Sequence, residues 1–364
     1  MPMTLLSLAT ARPEGQIDQH DAWQIAAERC CQTPRQKRML QTIYRQTTVQ
    51  QRGYAASPGS GNGHTAADAR AFFPPANADQ PRGPAVSERM SRYQELALPF
   101  ARHAAASAVE QAGIAPDQIR QLVVVTCTGF AAPGLDVGLI DALALDPGTG
   151  RTLIGFMGCH GALNGLRVAR GLAQPGEAVL LVAVELCSLH FQYGWQPQQL
   201  VANALFADGA AAAVGVADGS AESAPFRLLD NASRLLPDSR DAMTWRIGDH
   251  GFEMTLSPCV PNLIEQHLPA FLQDWLARHG LTPGDVGSWA VHPGGPRVLT
   301  AVEHALDLPP DALATSRQVL AECGNMSSPT VMFILDRLGR QNAPRPWVAM
   351  GFGPGLMVEA ALLA

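Results

Sequence analysis

Two stretches of this chain repeat one order of elements, and that repetition restricts the fold more than any single motif. In the first, Gly158-Cys159 opens a predicted helix over 160–173, a strand follows at Ala178–Val184, and Asp208-Gly209 leads into the small-residue strand Ala210–Val216. The second is shorter. Gly324-Asn325 opens a predicted helix to Leu338, a strand follows at Trp347–Met350, and Gly353-Pro354-Gly355 leads into Leu356–Leu363. A unit that recurs with a polar, chemistry-bearing residue at the same place predicts two homologous α/β halves, residues 1–225 and 226–364, packed pseudo-symmetrically with the active site between them.

The remaining pattern fits that frame. An apolar run at 3–9 reads as a strand, and 21–31 and 36–50 read as helices. Residues 53–86, rich in glycine and proline, read as a long surface excursion and not as a linker. Helix resumes over 87–112, with Ser87 as its cap and Gly113 as its stop, and leads to the strand Leu122–Thr126.

Composition then removes whole classes of function. A chain of 364 residues that is 47% hydrophobic and 16% charged can build a large core without staples. Its seven cysteines are an odd number with no C-x-x-C pair, so the pattern suggests neither a disulfide framework nor a zinc site, and a reducing, cytoplasmic setting is expected. The net charge of −6, with 26 dispersed basic residues, offers no nucleic-acid footprint. Lys37 is the only lysine, which leaves Schiff-base and P-loop chemistry almost without a candidate. No apolar run is long enough to span a bilayer, and no signal-peptide pattern opens the chain.

Against this background one constellation carries chemistry. Cys159 lies in Gly155-Phe156-Met157-Gly158-Cys159-His160-Gly161-Ala162, at a predicted helix start, where the partial positive charge of roughly +0.5 favours thiolate over thiol. His292 stands in Ala290-Val291-His292-Pro293-Gly294-Gly295, and Asn325 in Gly324-Asn325-Met326-Ser327-Ser328-Pro329. Singly, each has an ordinary reading: a small buried cysteine, a satisfied buried histidine, a helix cap. Together they are a nucleophile, a base and a neutral donor, a working set for acyl transfer.

These three segments, with Gly351-Phe352-Gly353-Pro354-Gly355-Leu356, resemble the type III polyketide synthases, the chalcone-synthase-like family, over nearly the whole chain. The resemblance implies a thiolase-like αβαβα sandwich of two duplicated halves, a homodimer, and CoA thioesters as substrates with no bound cofactor and no metal. It also implies roles. Cys159 would accept the starter acyl group, and His292 and Asn325 would stabilise the enolate formed as malonyl-CoA loses CO2. Phe206, in Leu205-Phe206-Ala207-Asp208-Gly209, would be the gatekeeper between the CoA tunnel and the reaction cavity.

The same comparison marks departures from the plant members of the family. Cys127, Cys187 and His190 stand where those enzymes have cavity threonines, Met254 replaces a second gatekeeper phenylalanine, and Ala132 replaces a methionine that reaches into the partner subunit. Ser327, Gly353 and Pro354 complete the expected cavity wall. For Cys127 and Cys187 simple packing is an equal reading, and His190 is either structural or able to polarise a polyketide carbonyl. Lys37 and Arg45, in the basic cluster on or after the second helix, are the candidates for the CoA phosphates. Several departures resemble bacterial members that make alkylresorcinols, alkylpyrones or tetrahydroxynaphthalene. An initiating ketoacyl synthase of fatty-acid synthesis shares the three chemical residues, but the Gly-Phe-Gly-Pro-Gly loop argues against it. A non-catalytic scaffold would have lost one of them.

Overall fold

The main sheet is nearly a palindrome, and that is how the duplicated halves appear in space. The computed structural model describes residues 1–55, 65–76, 81–217, 219 and 226–364, the side chains of 65–68 excepted. Its strands are β1 (Met3–Ala11), β2 (Gln16–Asp18), β3 (Gln51–Gly53), β4 (Ile119–Thr126), β5 (Gly150–Gly155), β6 (Ala178–Leu186), β7 (Asp208–Ala217), β8 (Phe226–Leu235), β9 (Met243–Gly248), β10 (Gly251–Leu256), β11 (Ser288–Val291), β12 (Trp347–Gly353) and β13 (Met357–Leu363). The helices are α1 (Gln19–Cys30), α2 (Pro34–Gln46), α3 (Thr65–Phe72), α4 (Val86–Ala112), α5 (Leu135–Ala142), α6 (Gly161–Leu172), α7 (Pro197–Leu205), α8 (Val260–Ala277), α9 (Pro296–Leu306), α10 (Ala314–Cys323) and α11 (Pro329–Arg340).

Nine strands run in the order β11-β12-β13-β8-β1-β7-β6-β4-β5. Outward from the centre, β1 is followed by antiparallel β7, antiparallel β6 and then β4 parallel to β6. On the other side β8 is followed by antiparallel β13, antiparallel β12 and then β11 parallel to β12. The arms therefore correspond strand for strand, with β5 the extra strand of the first. They meet only where Met3, Thr4 and Leu5 pair with Leu228, Arg227 and Phe226.

Three buried clusters set the layers. The inner faces of both arms enclose α6 and α11, whose Leu163, Leu166, Val331 and Leu335 meet Val125, Leu181, Ala290 and Ala349. The outer face of the first arm is covered by α4 and α5, through Ala101, Ala105, Ala108 and Leu139 against Val124 and Val182. That of the second is covered by α8 and α9, through Leu268, Leu272, Leu299 and Val302 among Val348 and Met350. The order α, β, α, β, α is the thiolase-like sandwich. β6 is buried along its whole length, as a strand covered on both faces must be. Gly165 explains how closely α6 lies on the sheet: a Cβ there would come within 2.6 Å of Leu181 Cδ1 and 2.9 Å of Val125 Cγ2.

Some expected boundaries shift for local reasons. α2 begins with Pro34 behind a Thr33–Gln36 capping box and stops at Gln46, since Gln50 N–H donates to Ala321 O and β3 follows. Within 53–86, residues 65–72 form α3, and 56–64 and 77–80 lie outside the described residues. α4 starts at Val86, and its entry is held by Glu88, not Ser87: the Glu88 carboxylate accepts the Ala85 N–H at 2.8 Å. Cys159 sits in a single 3-10 turn, Gly158–His160, before α6. Asn325 does not open a helix either, because α11 begins only at Pro329 and Asn325 is bridged in extended form to Phe206.

Candidate active site

Glycine and left-handed backbone build the turn that carries the thiol. Gly158 has φ +70, and a Cβ there would lie 2.7 Å from Pro354 Cδ, so only glycine lets the Pro354 loop close over the turn. Gly158 N–H donates to Cys127 Sγ at 3.0 Å, tying the end of β4 to the same turn. Cys159 is left 4% exposed.

The polar side chains that lower its thiol come from the other half. Asn325 is clamped by backbone bonds: its N–H donates to Leu205 O at 2.9 Å and its carbonyl accepts Ala207 N–H at 2.9 Å. Its Oδ1 accepts Ser327 N–H at 2.8 Å, and the Ser327 and Asn325 side chains both pull the Cys159 thiol down. Ser327 reaches back through a left-handed backbone, φ 56.

His292 follows β11, and its N–H donates to Met350 O at 2.8 Å. Gly351 on β12 makes room for it beside the cysteine turn. A Cβ at Gly351 would lie 3.4 Å from His160 Cβ and 3.5 Å from His292 Cβ. The His292 ring is 1% exposed and neither ring nitrogen has a hydrogen-bond partner among the described residues.

Burial dominates the ionisation of the site. It pushes the Cys159 thiol up to about 11, against the downward pull of the Ser327 and Asn325 donors, and Glu185 nearby adds to the rise. Burial, and then the neighbouring His160, push His292 down to about 3. Low dielectric disfavours both charged forms, so the pair rests as neutral thiol and neutral imidazole. The thiolate expected from a helix start is thus overridden: a buried 3-10 turn supplies less than desolvation removes. Glu185 is fully buried and accepts from Cys127 N–H at 2.9 Å, Thr128 Oγ1 at 2.8 Å and Ser328 Oγ at 2.7 Å, yet burial still raises it to about 7.

A path leads from the surface to the thiol and beyond. A mouth of about 330 Å³ between α2, α7 and α9 is lined by Ile43, Gln46, Thr47, Val201 and Arg297. It shares Gln198, Leu205, Leu256, Gly294 and Val298 with a pocket of about 20 Å³ that reaches Cys159, Phe206 and Asn325. On the far side of Cys159 a pocket of about 10 Å³ is walled by Cys127, Cys187, Phe206, Trp245, Met254, Ser327 and Pro354. Behind Cys187, Phe206, Trp245 and Met254 lies a further chamber of about 60 Å³.

The cavity residues expected from sequence therefore gather here, with four qualifications. Gly353 lines none of these cavities and serves packing, since a Cβ there would sit 2.2 Å from His160 Cδ2. His190 lines only the rear chamber and has no free nitrogen: Nε2 donates to Thr128 O at 2.7 Å, Nδ1 accepts Phe252 N–H at 2.9 Å, and the ring stacks on Phe252. Lys37 and Arg45 are exposed on α2 and line none of these cavities, whereas Arg297 lines the mouth. Ala132 lines none of them either, and its neighbours Ala131 and Pro133 border a separate cavity of about 210 Å³. Sequence reasoning missed Trp245, which donates to Cys127 O at 2.9 Å. The signal was the hairpin register, because Trp245 is the direct cross-strand partner of Met254.

Two duplicated α/β halves closing on a buried cysteine define a condensing enzyme of thiolase type. The profile of the chalcone and stilbene synthases, N-terminal domain, matches residues 2–219, and that of the C-terminal domain matches residues 227–364. The chain is 38% identical over 275 residues to a 1,3,6,8-tetrahydroxynaphthalene synthase of Streptomyces peucetius subsp. caesius, covering 74% of this chain and 73% of that protein. It is 31% identical over 367 residues to the alpha-pyrone synthesis polyketide synthase-like Pks18 of Mycobacterium tuberculosis, covering 98% and 89%. It also matches polyketide synthase 37 of Dictyostelium discoideum at 35% identity over 290 residues, 76% of this chain but only 10% of that much longer protein. The crystal structure of PKS-I from the brown alga Ectocarpus siliculosus superposes with a TM-score of 0.91 at 32% identity, covering 100% and 97% of the two chains. The chain belongs to the chalcone and stilbene synthase family and is a type III polyketide synthase, a decarboxylating condensing transferase.

Proposed function

We propose that the protein loads an acyl-CoA starter on Cys159, extends it with malonyl-CoA and cyclises the product to an alkylpyrone or alkylresorcinol, with no bound cofactor. The observation that carries this reading is a buried thiol that shares its pocket walls with Asn325 and Ser327 at the inner end of a path from the surface. His292, neutral and buried beside the turn that carries Cys159, takes the thiol proton as sulfur attacks the starter carbonyl, and returns it to the departing CoA thiolate. With Asn325 it then donates to the thioester oxygen of malonyl-CoA as the C–C bond to the carboxylate breaks and CO2 leaves. The enolate carbon attacks the Cys159 thioester, and sulfur departs. Donors aimed at that developing charge are worth roughly 10²–10³ in rate each.

The CoA moiety occupies the mouth, with Arg297 on its rim and the exposed Arg45 and Lys37 of α2 as further cations for the phosphates. Residues 1–225 supply the nucleophile and 226–364 supply His292 and Asn325. We propose a homodimer, with the exposed Leu153 and Met157 on its face. No helix among the described residues is long and apolar enough to cross a membrane, and we place the enzyme in the cytoplasm.

A second reading, a malonyl-primed tetrahydroxynaphthalene-type synthase, is favoured by the small pocket of about 10 Å³ beyond Cys159, closed by Trp245. One experiment decides. The protein is incubated with malonyl-CoA and short, long or aromatic acyl-CoAs, the Cys159 adduct is read by intact mass, and the products by mass spectrometry. An acyl adduct absent from Cys159→Ala and a pyrone or resorcinol product support the first reading. Product from malonyl-CoA alone supports the second, and no adduct with any thioester sinks both.

A further inference from the structure

We propose that the chamber behind Trp245 is a subsite for the far end of the starter, and that it selects acyl groups carrying a hydroxyl or carbonyl oxygen there, bound by the Tyr54 hydroxyl with the Arg52 Nε–H as a second donor. This rests on the synthase reading above and names the substrate class it implies.

The chamber adjoins the thiol pocket at its inner wall, since Cys187, Phe206, Trp245 and Met254 line both spaces. Most of its surface is apolar and aromatic, from Ile17, Ile25, Tyr44, Phe73 and Phe252. Such walls suit the body of an acyl chain or an aryl ring.

Several polar groups in those walls are already satisfied. His190 uses both ring nitrogens, Ser188 Oγ donates to Asp208 at 2.6 Å, and Asn203 exchanges two hydrogen bonds with the Gln192 backbone at 3.0 and 2.7 Å. Arg52 spends Nη1 on Asn203 O at 2.6 Å and Phe206 O at 3.0 Å, and Nη2 on Ala204 O at 2.8 Å and on Gln19. Two buried polar atoms of chamber-lining residues, Tyr54 Oη and Arg52 Nε, have no partner among the described residues. Tyr54 is 8% and Arg52 5% exposed.

Leaving a buried hydroxyl or N–H unpaired is costly, and both of these can donate. A methyl-ended tail entering the chamber leaves them orphaned, whereas a tail with an oxygen at that depth satisfies them. A site built to bond a substrate oxygen discriminates against the analogue that lacks it more strongly than an apolar pocket discriminates by size.

The test compares ω-hydroxyacyl-CoAs of graded length with plain acyl-CoAs of the same length, using the full-length protein and malonyl-CoA, and reads kcat/KM for each. At the length that reaches the chamber the hydroxylated starter is preferred about tenfold, and Tyr54→Phe abolishes that preference. Because the lost hydroxyl has no partner among the described residues, the thermal midpoint of Tyr54→Phe does not fall, so a fold defect is separable from a recognition defect. No preference in the wild type at any length, or a preference that persists in Tyr54→Phe, overturns the subsite while leaving the synthase standing. No malonyl-CoA consumption with any starter overturns both.

Discussion

Alkylation of Cys159 reads the electrostatics of the site directly, because the thiolate and not the thiol reacts. Burial holds this thiol at about 11 against 9.0 for an ordinary cysteine. Two units lower the thiolate fraction about a hundredfold at any pH well below both values. Access also differs between a pocket and the surface, so comparison with exposed Cys259 is not enough. Variants that change charge and leave the path open are sharper. The Ser327 hydroxyl is the largest influence lowering the thiol, and Glu185 raises it. A hydrogen bond to a charged group is worth about 1.5–3 kcal/mol, or roughly one to two pKa units. Ser327→Ala should therefore move the alkylation inflection up by about one unit, and Glu185→Gln should move it down.

The assay is the iodoacetamide rate of the Cys159 peptide as a function of pH, followed by mass spectrometry in the wild type and both variants. The wild-type rate should still be climbing in the alkaline range. An inflection below neutrality that neither substitution moves would refute the reasoning. It would mean that His292 already holds the proton in a thiolate–imidazolium pair, as the helix-start argument expects.

Asn325→Ala should cut CO2 release from malonyl-CoA by about 10²–10³, while Cys159→Ala loses starter loading and keeps release; normal release from Asn325→Ala would remove that residue from the decarboxylation step. Trp245→Ala should merge the pockets of about 10 and 60 Å³ and shift the preferred starter toward longer or bulkier acyl groups, and Cys127→Trp should do the reverse; unchanged product masses across the starter panel would count against both. His190 and His292 are each held at about 3 by burial, below the ordinary 6.5, so the stability they confer is complete above 6.5 and lost as pH falls toward 3. The loss is on the order of 2 kcal/mol per histidine by about pH 5; the thermal midpoint should fall between neutral pH and that point, and fall less in His190→Gln.

What could be read from the sequence follows from how local each cause is. Gly158, Gly351 and the Gly324-Asn325 segment are visible because a close backbone approach leaves only glycine, and the residue beside it inherits a defined place. The duplicated halves are visible for a similar reason, as one helix–strand–strand unit occurs twice within short spans. For the ionisation of Cys159 the thiolate argument is local and the desolvation opposing it is not. Burial of that sulfur is assembled from β4, β9, the Pro354 loop and the Ser327 turn, which come together only in the fold.

Cavity volume is less local still, and one side chain can reverse its sign. Cys127 and Met254 taken alone suggest a widened cavity. In the structure Cys127 is held by Gly158 N–H and by the Trp245 indole on its carbonyl, and Met254 pairs across the hairpin with that same Trp245. The space freed by two small or flexible residues is therefore occupied by a third, from strands whose turn at Gly248–Gly251 was the only sequence signal for the pairing. Any starter longer than the pocket at Cys159 must pass the Phe206, Trp245 and Met254 side chains to reach the rear chamber. If the rear chamber takes the far end of the starter, chain length is set at Trp245 and by what Tyr54 accepts behind it, and substitutions at Cys127 alone should change product size only in the direction of shortening.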